Sequence, residues 1–210
     1  SIATDGSFTL EHTYAQAGAY MITVRITDSD GSTGMARKYV VIAPEERDAA
    51  ASVVINDGSG QRSMVTSITC TFDADVTSID ADGWSLTRSD GAAVEVIAQR
   101  IDARTYLLIF AGELTENGSL VDGRYELHVR ADAVHTATGG QLESDMTITF
   151  HRLFGDIDGD ATVTAVDLVS FRSAMDGSAS EHVASFDHDS DGTVDIDDYD
   201  EFRKRMGRRI

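Results

Sequence analysis

Two short stretches of the chain carry oxygen-bearing side chains at alternate positions, a pattern that suits binding of a hard cation. Numbered within a twelve-residue loop, positions 1, 3, 5, 7, 9 and 12 are Asp156, Asp158, Asp160, Thr162, Thr164 and Asp167 in the first stretch. In the second they are Asp187, Asp189, Asp191, Thr193, Asp195 and Asp198. Alternate residues of a tight loop can turn their oxygens to one centre, position 7 offers a backbone carbonyl, and the carboxylate at position 12 closes the shell from a following helix. Because the pattern occurs twice, each time ahead of an apolar run of helical period, the spacing predicts two Ca²⁺ sites rather than solvated acidic loops.

The two loops differ at two positions that affect metal affinity. Position 6 is Ala161 in the first loop and Gly192 in the second. A sharp turn there favours glycine, because a Cβ in left-handed backbone costs on the order of 1 kcal/mol. Position 9 is Thr164 in the first loop and Asp195 in the second, so the first loop carries one charge fewer. We therefore predict that the second loop binds Ca²⁺ more tightly.

Composition excludes some classes of partner. The chain has 210 residues and a formal net charge of −19. Such a charge argues against nucleic acid, whose phosphates require Lys and Arg, and against an anionic membrane surface. No apolar run reaches transmembrane length and no signal-peptide pattern is recognisable in these residues, so we expect no membrane insertion. Cys70 is the only cysteine, which makes an intramolecular disulfide impossible and a buried structural thiol the expected role.

Residues 1–43 have the alternating pattern of β-strands. Strands are predicted at residues 8–14, 19–27 and 35–43, with residues 28–31 as a hairpin turn. Residues 12–14, 18–20 and 24–28 resemble the second half of a polycystic-kidney-disease-type (PKD) domain, an extracellular β-sandwich. His12, near a tyrosine and without a metal-binding neighbour, is expected to pack rather than to act as a ligand or base. Pro44 opens a predicted linker over residues 44–51.

Residues 52–153 predict a second β-region, with seven strands at residues 52–56, 63–72, 84–89, 94–100, 105–111, 123–130 and 146–154. Many short strands with turn signals between them are typical of an immunoglobulin-type sandwich. The alternating apolar positions predict a core of Val54, Val65, Ile68, Cys70, Phe72, Trp84, Leu86, Val96, Tyr106, Leu108, Phe110, Tyr125, Leu127, Val129, Ile148 and Phe150. Residues 72–76, 84–87 and 121–129 resemble the bacterial immunoglobulin-like domains of S-layer and surface proteins, which act as spacers or binding platforms.

This region shows no catalytic constellation. Its acidic residues are expected to be solvated charges at strand ends: Glu113, Glu116, Asp122 and Glu126. Its histidines, His128, His135 and His151, are too scattered for a zinc site. Asn117-Gly118-Ser119 matches a glycosylation sequon, although Asn-Gly also suits a tight turn. With no nucleophile–base pair, phosphate loop or acid/base dyad, we expect no enzyme activity within the chain.

From residue 154 the apolar period becomes helical, with one stripe after each loop: Val166, Leu168, Val169, Phe171, Ala174 and Met175, then Ile196, Tyr199, Phe202 and Met206. No long helix precedes the first loop, and both loops end in Asp rather than the Glu of calmodulin-like hands. Residues 154–209 therefore resemble a dockerin, the two-loop calcium module of cellulosomal proteins. Its cohesin-contacting positions, 10 and 11, are Ala165 and Val166 in one copy and Ile196 and Asp197 in the other, which differ from the Ser-Thr pair of the well-studied type. His188, at loop position 2, is expected to face solvent, and the basic residues at 203–205, 208 and 209 to serve as cations at a helix end.

These features predict a mainly β fold, an immunoglobulin-like β-sandwich with a small C-terminal α-helical EF-hand or dockerin-like calcium domain at residues 154–210. The resemblances imply a non-catalytic region of a longer bacterial protein, secreted or at the cell surface. Two calcium ions would stabilise a module for attachment to a cohesin-like or other surface protein. Two alternatives remain open. The chain could be the accessory region of a carbohydrate-active enzyme that degrades polysaccharides, with carbohydrate as a ligand, or the calcium domain could be purely structural.

Overall fold

The computed structural model describes residues 7–180 and 183–210. The chain forms two compact units, Ser1–Glu46 and Arg47–Ile210. It is mainly β, with antiparallel sheets, which is consistent with a β-sandwich. The predicted boundary at residues 153 and 154 lies within the second unit, which contains two separate hydrophobic cores.

The first unit is built on a hairpin of β1 (Gly18–Thr27) and β2 (Thr33–Ile42), paired antiparallel throughout. The Asp28 carboxylate closes its turn by accepting a 2.8 Å hydrogen bond from the Ser32 N–H. The strand predicted at residues 8–14 is wrong, because that stretch pairs with no strand in the described part of the chain. It packs through rings instead: the Tyr14 ring lies 4.4 Å from that of Tyr20, and His12 meets Tyr14 edge-on at 4.6 Å, which agrees with a packing role for His12.

The second unit contains a seven-stranded antiparallel sheet in the order β13-β11-β6-β7-β8-β4-β3. The strand β7 changes partner along its length: residues 93 and 94 pair with β6, and residues 95–100 pair with β8. A strand that passes from one sheet to another in this way makes the corner of a two-layered β-structure. The strands of this unit are β3 (Ala51–Ile55), β4 (Ser67–Phe72), β5 (Val76–Ile79), β6 (Trp84–Arg88), β7 (Ala93–Arg100), β8 (Thr105–Ala111), β9 (Thr115–Glu116), β10 (Ser119–Leu120), β11 (Gly123–Val129), β12 (Val134–Thr136) and β13 (Met146–Arg152).

All seven predicted strands of this unit are present: four are shorter than predicted, β8 has the predicted bounds, and β3 and β7 each begin one residue earlier. The predicted strand at residues 63–72 begins only at Ser67, because the Asn56 side chain binds the preceding backbone in place of a ladder. Its amide donates to the Met64 carbonyl and its Oδ1 accepts from the Thr66 N–H. Two small pairs, β5 with β12 and β9 with β10, were not predicted, since two to four residues are too few to show a period.

The sandwich core contains most of the predicted residues. Buried members are Val65, Ile68, Cys70, Phe72, Leu86, Tyr106, Leu108, Phe110, Tyr125, Leu127, Val129 and Phe150, with Trp84, Val96 and Ile148 half-buried against them. Val54 is a correction, because it is 42% exposed while Val53 and Ile55 face the core. Burial raises the pKa of the Cys70 thiol to about 12, so the predicted structural thiol is confirmed as buried.

The described residues at the end of the chain form three helices, α1 (Ala165–Met175), α2 (Val183–Phe186) and α3 (Ile196–Arg205). Both predicted helical stripes form helices, but only part of each faces inward. A second core contains Phe154, Val163, Phe171, Phe186 and Phe202, all fully buried. Val166, Val169, Met175, Ile196 and Met206 are exposed instead. None of the helices in the described part of the chain is both long and apolar enough to cross a membrane.

Candidate metal centres

The first aspartate loop folds around its first residue. Asp156 is fully buried, and its Oδ1 accepts hydrogen bonds from the backbone N–H groups of Gly159 and Asp160 at 2.8 and 3.1 Å. Its Oδ2 accepts from the N–H of Ala161 at 3.0 Å. Successive amides turned to one carboxylate force the chain into a tight coil. The carboxylates of Asp156, Asp158 and Asp167 each place an oxygen within 4.8 Å of the others.

The second loop repeats this scheme. The Asp187 carboxylate accepts from the N–H groups of Asp191 and Gly192 at 3.0 and 2.9 Å. Here the oxygens that converge within 4.8 Å belong to Asp187, Asp189 and Asp191. The two copies therefore share their backbone scheme, although the third carboxylate of the group comes from position 12 in the first loop and position 5 in the second.

Positions 9 and 12 build the start of a helix in both copies. Thr164 caps α1, and Asp195 caps α3. The position 12 carboxylates of Asp167 and Asp198 are buried. Each accepts a hydrogen bond from the backbone N–H of its capping residue, at 2.8 Å from Thr164 and 2.9 Å from Asp195, which completes a capping box. The other oxygen of each accepts from the backbone N–H at loop position 2, at 2.9 Å in the first loop and 2.6 Å in the second. Loop and helix are thus one hydrogen-bonded unit.

The remaining predicted ligands lie on the rims of the loops. Asp160 lies outside the first converging group, and its Oδ1 accepts from the Thr162 N–H at 2.7 Å. The corresponding contact from Thr193 to Asp191 is 2.8 Å. Thr162 also forms an antiparallel bridge with Arg209, which ties the chain end to the first loop.

Burial and neighbouring like charges raise the pKa of one carboxylate in each loop. Burial, followed by the carboxylates of Asp167, Asp160 and Asp156, raises the pKa of Asp158 above its ordinary value. Burial together with Asp189 and Asp187 likewise raises the pKa of Asp198. A cation among these oxygens would remove both penalties. The candidate ligands are carboxylate, hydroxyl and carbonyl oxygens. Hard cations such as Ca²⁺ prefer oxygen ligands, whereas softer metals prefer thiolate or imidazole. The residues present therefore fit a hard divalent cation in each loop.

The left-handed turn expected at position 6 is present in both loops. Gly192 has φ +93°, and Ala161 has φ +67°. Only glycine adopts such backbone without a steric cost, so Ala161 strains the first loop at position 6. The second loop has its own left-handed residue at position 4, Ser190 with φ +61°, where the first loop has Gly159.

Two histidines near the loops have environments that sequence reasoning missed. His188 is 6% exposed rather than facing solvent. Its ring meets that of Phe154 edge-on at 4.7 Å, and burial, with Arg152 and Arg205 nearby, lowers its pKa below the ordinary value. His151, at the end of β13, places Nε2 2.7 Å from Oδ2 of Asp156 and so supports the first loop from the sandwich.

Asp122 is the third residue that the sequence misplaced. Its side chain is 7% exposed instead of solvated, and it contacts three arginines, among them the fully buried Arg152. Arg205 and Arg208 are the other two, so part of the basic chain end neutralises an internal carboxylate. No pattern in the sequence could reveal these contacts, which join residues 30 to 86 positions apart.

Among the residues that the structure describes, the other sites considered from the sequence hold no converging ligands. His128 and His135 each contact a single exposed aspartate, Asp145 and Asp80, at 3.5 and 3.3 Å. Asn117 forms the tip of the β9–β10 hairpin with φ +49°, followed by Gly118 at φ +78°. The turn is therefore the structural reason for Asn-Gly.

The chain was compared with known proteins at the level of sequence. It matches no protein-family model, and a search of curated proteins found no match.

Proposed function

We propose that residues 154–210 form a calcium-stabilised docking module carried by a non-catalytic β-sandwich in a secreted or cell-surface bacterial protein. The observation that supports this most is the duplicated loop, in which a buried first aspartate and a buried twelfth aspartate are held by matching hydrogen bonds in both copies. Solvated acidic turns would not be expected to share the same burial and hydrogen bonds in two copies beside one core.

In this proposal one Ca²⁺ would be held by Asp156, Asp158, Asp160, Thr162, Thr164 and Asp167, and a second by Asp187, Asp189, Asp191, Thr193, Asp195 and Asp198. The ion would supply positive charge that offsets the repulsion among the carboxylates. The chain's own groups do the rest: backbone amides orient the first aspartate, and the twelfth aspartate caps the next helix. Because an unfolded chain holds no preformed site, metal-binding free energy becomes folding free energy. Extracellular calcium modules of this kind bind with Kd of about 10⁻⁴ to 10⁻³ M.

The docking role is supported by apolar side chains on the outer face of α1. Val166 and Val169 are 62% and 66% exposed, and three residues apart they share one helix face. Ile196, at loop position 10 of the second copy, is 58% exposed. Neighbouring apolar side chains that are exposed to solvent instead of packed in the core are typical of a contact surface.

Two measurements test this proposal. Calorimetric titration of Ca²⁺ into the protein, freed of metal beforehand with a chelator, should detect two bound ions per chain. A variant that carries both Asp156→Ala and Asp187→Ala should bind no Ca²⁺. Docking is tested by a pull-down from a bacterial extract with the immobilised wild-type chain in Ca²⁺. The retained proteins should be lost when a chelator is added, and they should not be retained by a Val166→Glu, Val169→Glu variant. Retention by that variant equal to the wild type would refute docking through α1.

A purely structural role is the second candidate, and the Asp122 contacts favour it. A module that is bonded to its own sandwich can serve as a stabilising end piece without a further partner. In that case Ca²⁺ would still bind and raise stability, and the α1 variant would behave as the wild type in every partner assay.

A further inference from the structure

Asp122 lies where the helical module meets the sandwich. It sits between β10 and β11, and its Oδ1 accepts from Arg152 Nη1 at 2.6 Å and from the Phe154 N–H at 2.9 Å. Its Oδ2 accepts from Arg205 Nε and Arg208 Nη1, both at 2.7 Å. One carboxylate thus joins a sandwich strand, the start of the first loop and the end of α3.

The charges around Asp122 depend on it. Burial alone would raise its pKa, but Arg152, the Phe154 N–H and Arg205 outweigh burial and hold the pKa below the ordinary value. The Arg152 side chain is fully buried. Both Arg152 and Arg205 also lie over the Phe154 ring, at 5.7 and 5.4 Å from its centre. Without the carboxylate, a buried guanidinium would lose its main counter-charge.

The first loop has its own contacts with the sandwich. The segment before β4 donates the Arg62 N–H to the carbonyl of Asp156, and Ser63 Oγ accepts from the Gly155 N–H, at 2.9 and 2.8 Å. The backbones also approach closely, since a Cβ on Gly159 would lie 2.2 Å from the Gly60 carbonyl oxygen. Position 1 of the loop is therefore held by a sandwich segment through its backbone.

The second loop contacts a different part of the sandwich, the β9–β10 turn. Asn117 Nδ2 donates to the carbonyl of His188 at 2.7 Å, and Ser190 Oγ donates to the carbonyl of Asn117 at 3.0 Å. Both partners lie within the first four positions of the loop. Each candidate metal loop is thus hydrogen-bonded to the sandwich within or next to its first four positions, which would have to be ordered for a cation to bind. These two sets of hydrogen bonds are called the seats of the loops.

We propose that Asp122 and these two seats couple the loops to the sandwich, so that Ca²⁺ bound in the loops stabilises the β-sandwich itself. This inference rests on the proposed function. Linkage makes the effect reciprocal: whatever the metal adds to the stability of the sandwich, an intact sandwich adds to metal affinity. The segment from Arg47 to Ile210 then behaves as one calcium-dependent body rather than a platform with a separately folding end.

The chain contains its own reporter for this test. Trp84 is the only tryptophan. It lies on β6 in the sandwich, with its ring 6.1 Å from that of Tyr106, and packs on the sandwich core rather than on the core of the helices. Its fluorescence therefore follows unfolding of the sandwich alone.

The experiment is thermal unfolding of the full chain, followed by Trp84 fluorescence, in saturating Ca²⁺ and in chelator. In the wild type we expect Ca²⁺ to raise the Trp84 midpoint by about 5–10 °C. Asp122→Asn, which keeps the shape and removes the charge, should reduce that shift to less than half. The matched control is Asp90→Asn. The Asp90 carboxylate is exposed and pairs with Arg88 at the end of β6, so this variant should keep the full shift.

Ser63→Ala removes the acceptor for the Gly155 N–H without introducing a charge, so it tests the coupling even if Asp122→Asn fails to fold. It should also reduce the shift. If calorimetry detects Ca²⁺ binding but the Trp84 midpoint does not move in the wild type, the coupling is refuted while the proposed function stands. A full shift in both Asp122→Asn and Ser63→Ala would refute it as well. Absence of Ca²⁺ binding in calorimetry would refute the proposed function and this inference with it.

Discussion

Gly155→Ala tests whether the first loop and α3 share one core. Gly155 precedes the loop with φ +96°, and a Cβ built on it would lie 2.8 Å from Phe202 Cδ2 and 3.2 Å from Val163 Cγ1. Both neighbours are fully buried, so neither can move aside easily. The left-handed backbone costs an alanine on the order of 1 kcal/mol. Overpacking a filled core adds about 1–3 kcal/mol. We expect Gly155→Ala to lower the free energy of unfolding by about 2–4 kcal/mol in Ca²⁺.

The matched control is Gly177→Ala, after α1. Its φ is +77°, but a Cβ there would meet no atom within 4 Å, so only the backbone term of about 1 kcal/mol applies. Urea unfolding followed by circular dichroism gives the free energy for both variants. A loss at Gly155 no larger than the loss at Gly177 would refute the packing of Phe202 against the start of the loop.

Three further predictions follow from the loops and the sandwich core. Asp187→Ala should remove the tighter Ca²⁺ site and Asp156→Ala the weaker one; calorimetry of the two variants contradicts this if the tighter site survives without Asp187. Ala161→Gly should relieve left-handed strain of about 1 kcal/mol and tighten the first site about fivefold, measured by the same titration; an unchanged or weaker site would contradict that reasoning. Cys70, with its pKa raised to about 12, should resist thiol reagents in the folded protein and react as the sandwich unfolds in urea, and rapid labelling of the native chain would refute its burial.

Features that repeat or alternate were predictable. The helices after both loops, the left-handed turn at position 6 and most of the sandwich strands depend on local spacing, which the sequence displays directly. Where the pattern was short or ambiguous, prediction was wrong. Residues 8–14 alternate as a strand does but form no ladder with any strand that the structure describes. Val54 lies on the outer face because its neighbours Val53 and Ile55 face the core.

Contacts between distant residues were not predictable. Asp122 reads as an ordinary acidic residue beside a turn, and only the fold brings Arg152, Arg205 and Arg208 to it. His188 was expected to face solvent by its loop position, yet Glu116 of the sandwich and Phe154 of the second core cover it. Such pairings depend on how two cores pack, which no local period records.

In the proposed function, both aspartate loops hold calcium and the metal stabilises the helices that follow them. Native mass spectrometry of the chain in Ca²⁺, together with circular dichroism before and after chelation, measures this most directly. We predict a mass increase of two calcium ions and a loss of helical signal when they are removed. A metal-free mass at saturating Ca²⁺, with the helices intact, would contradict the account.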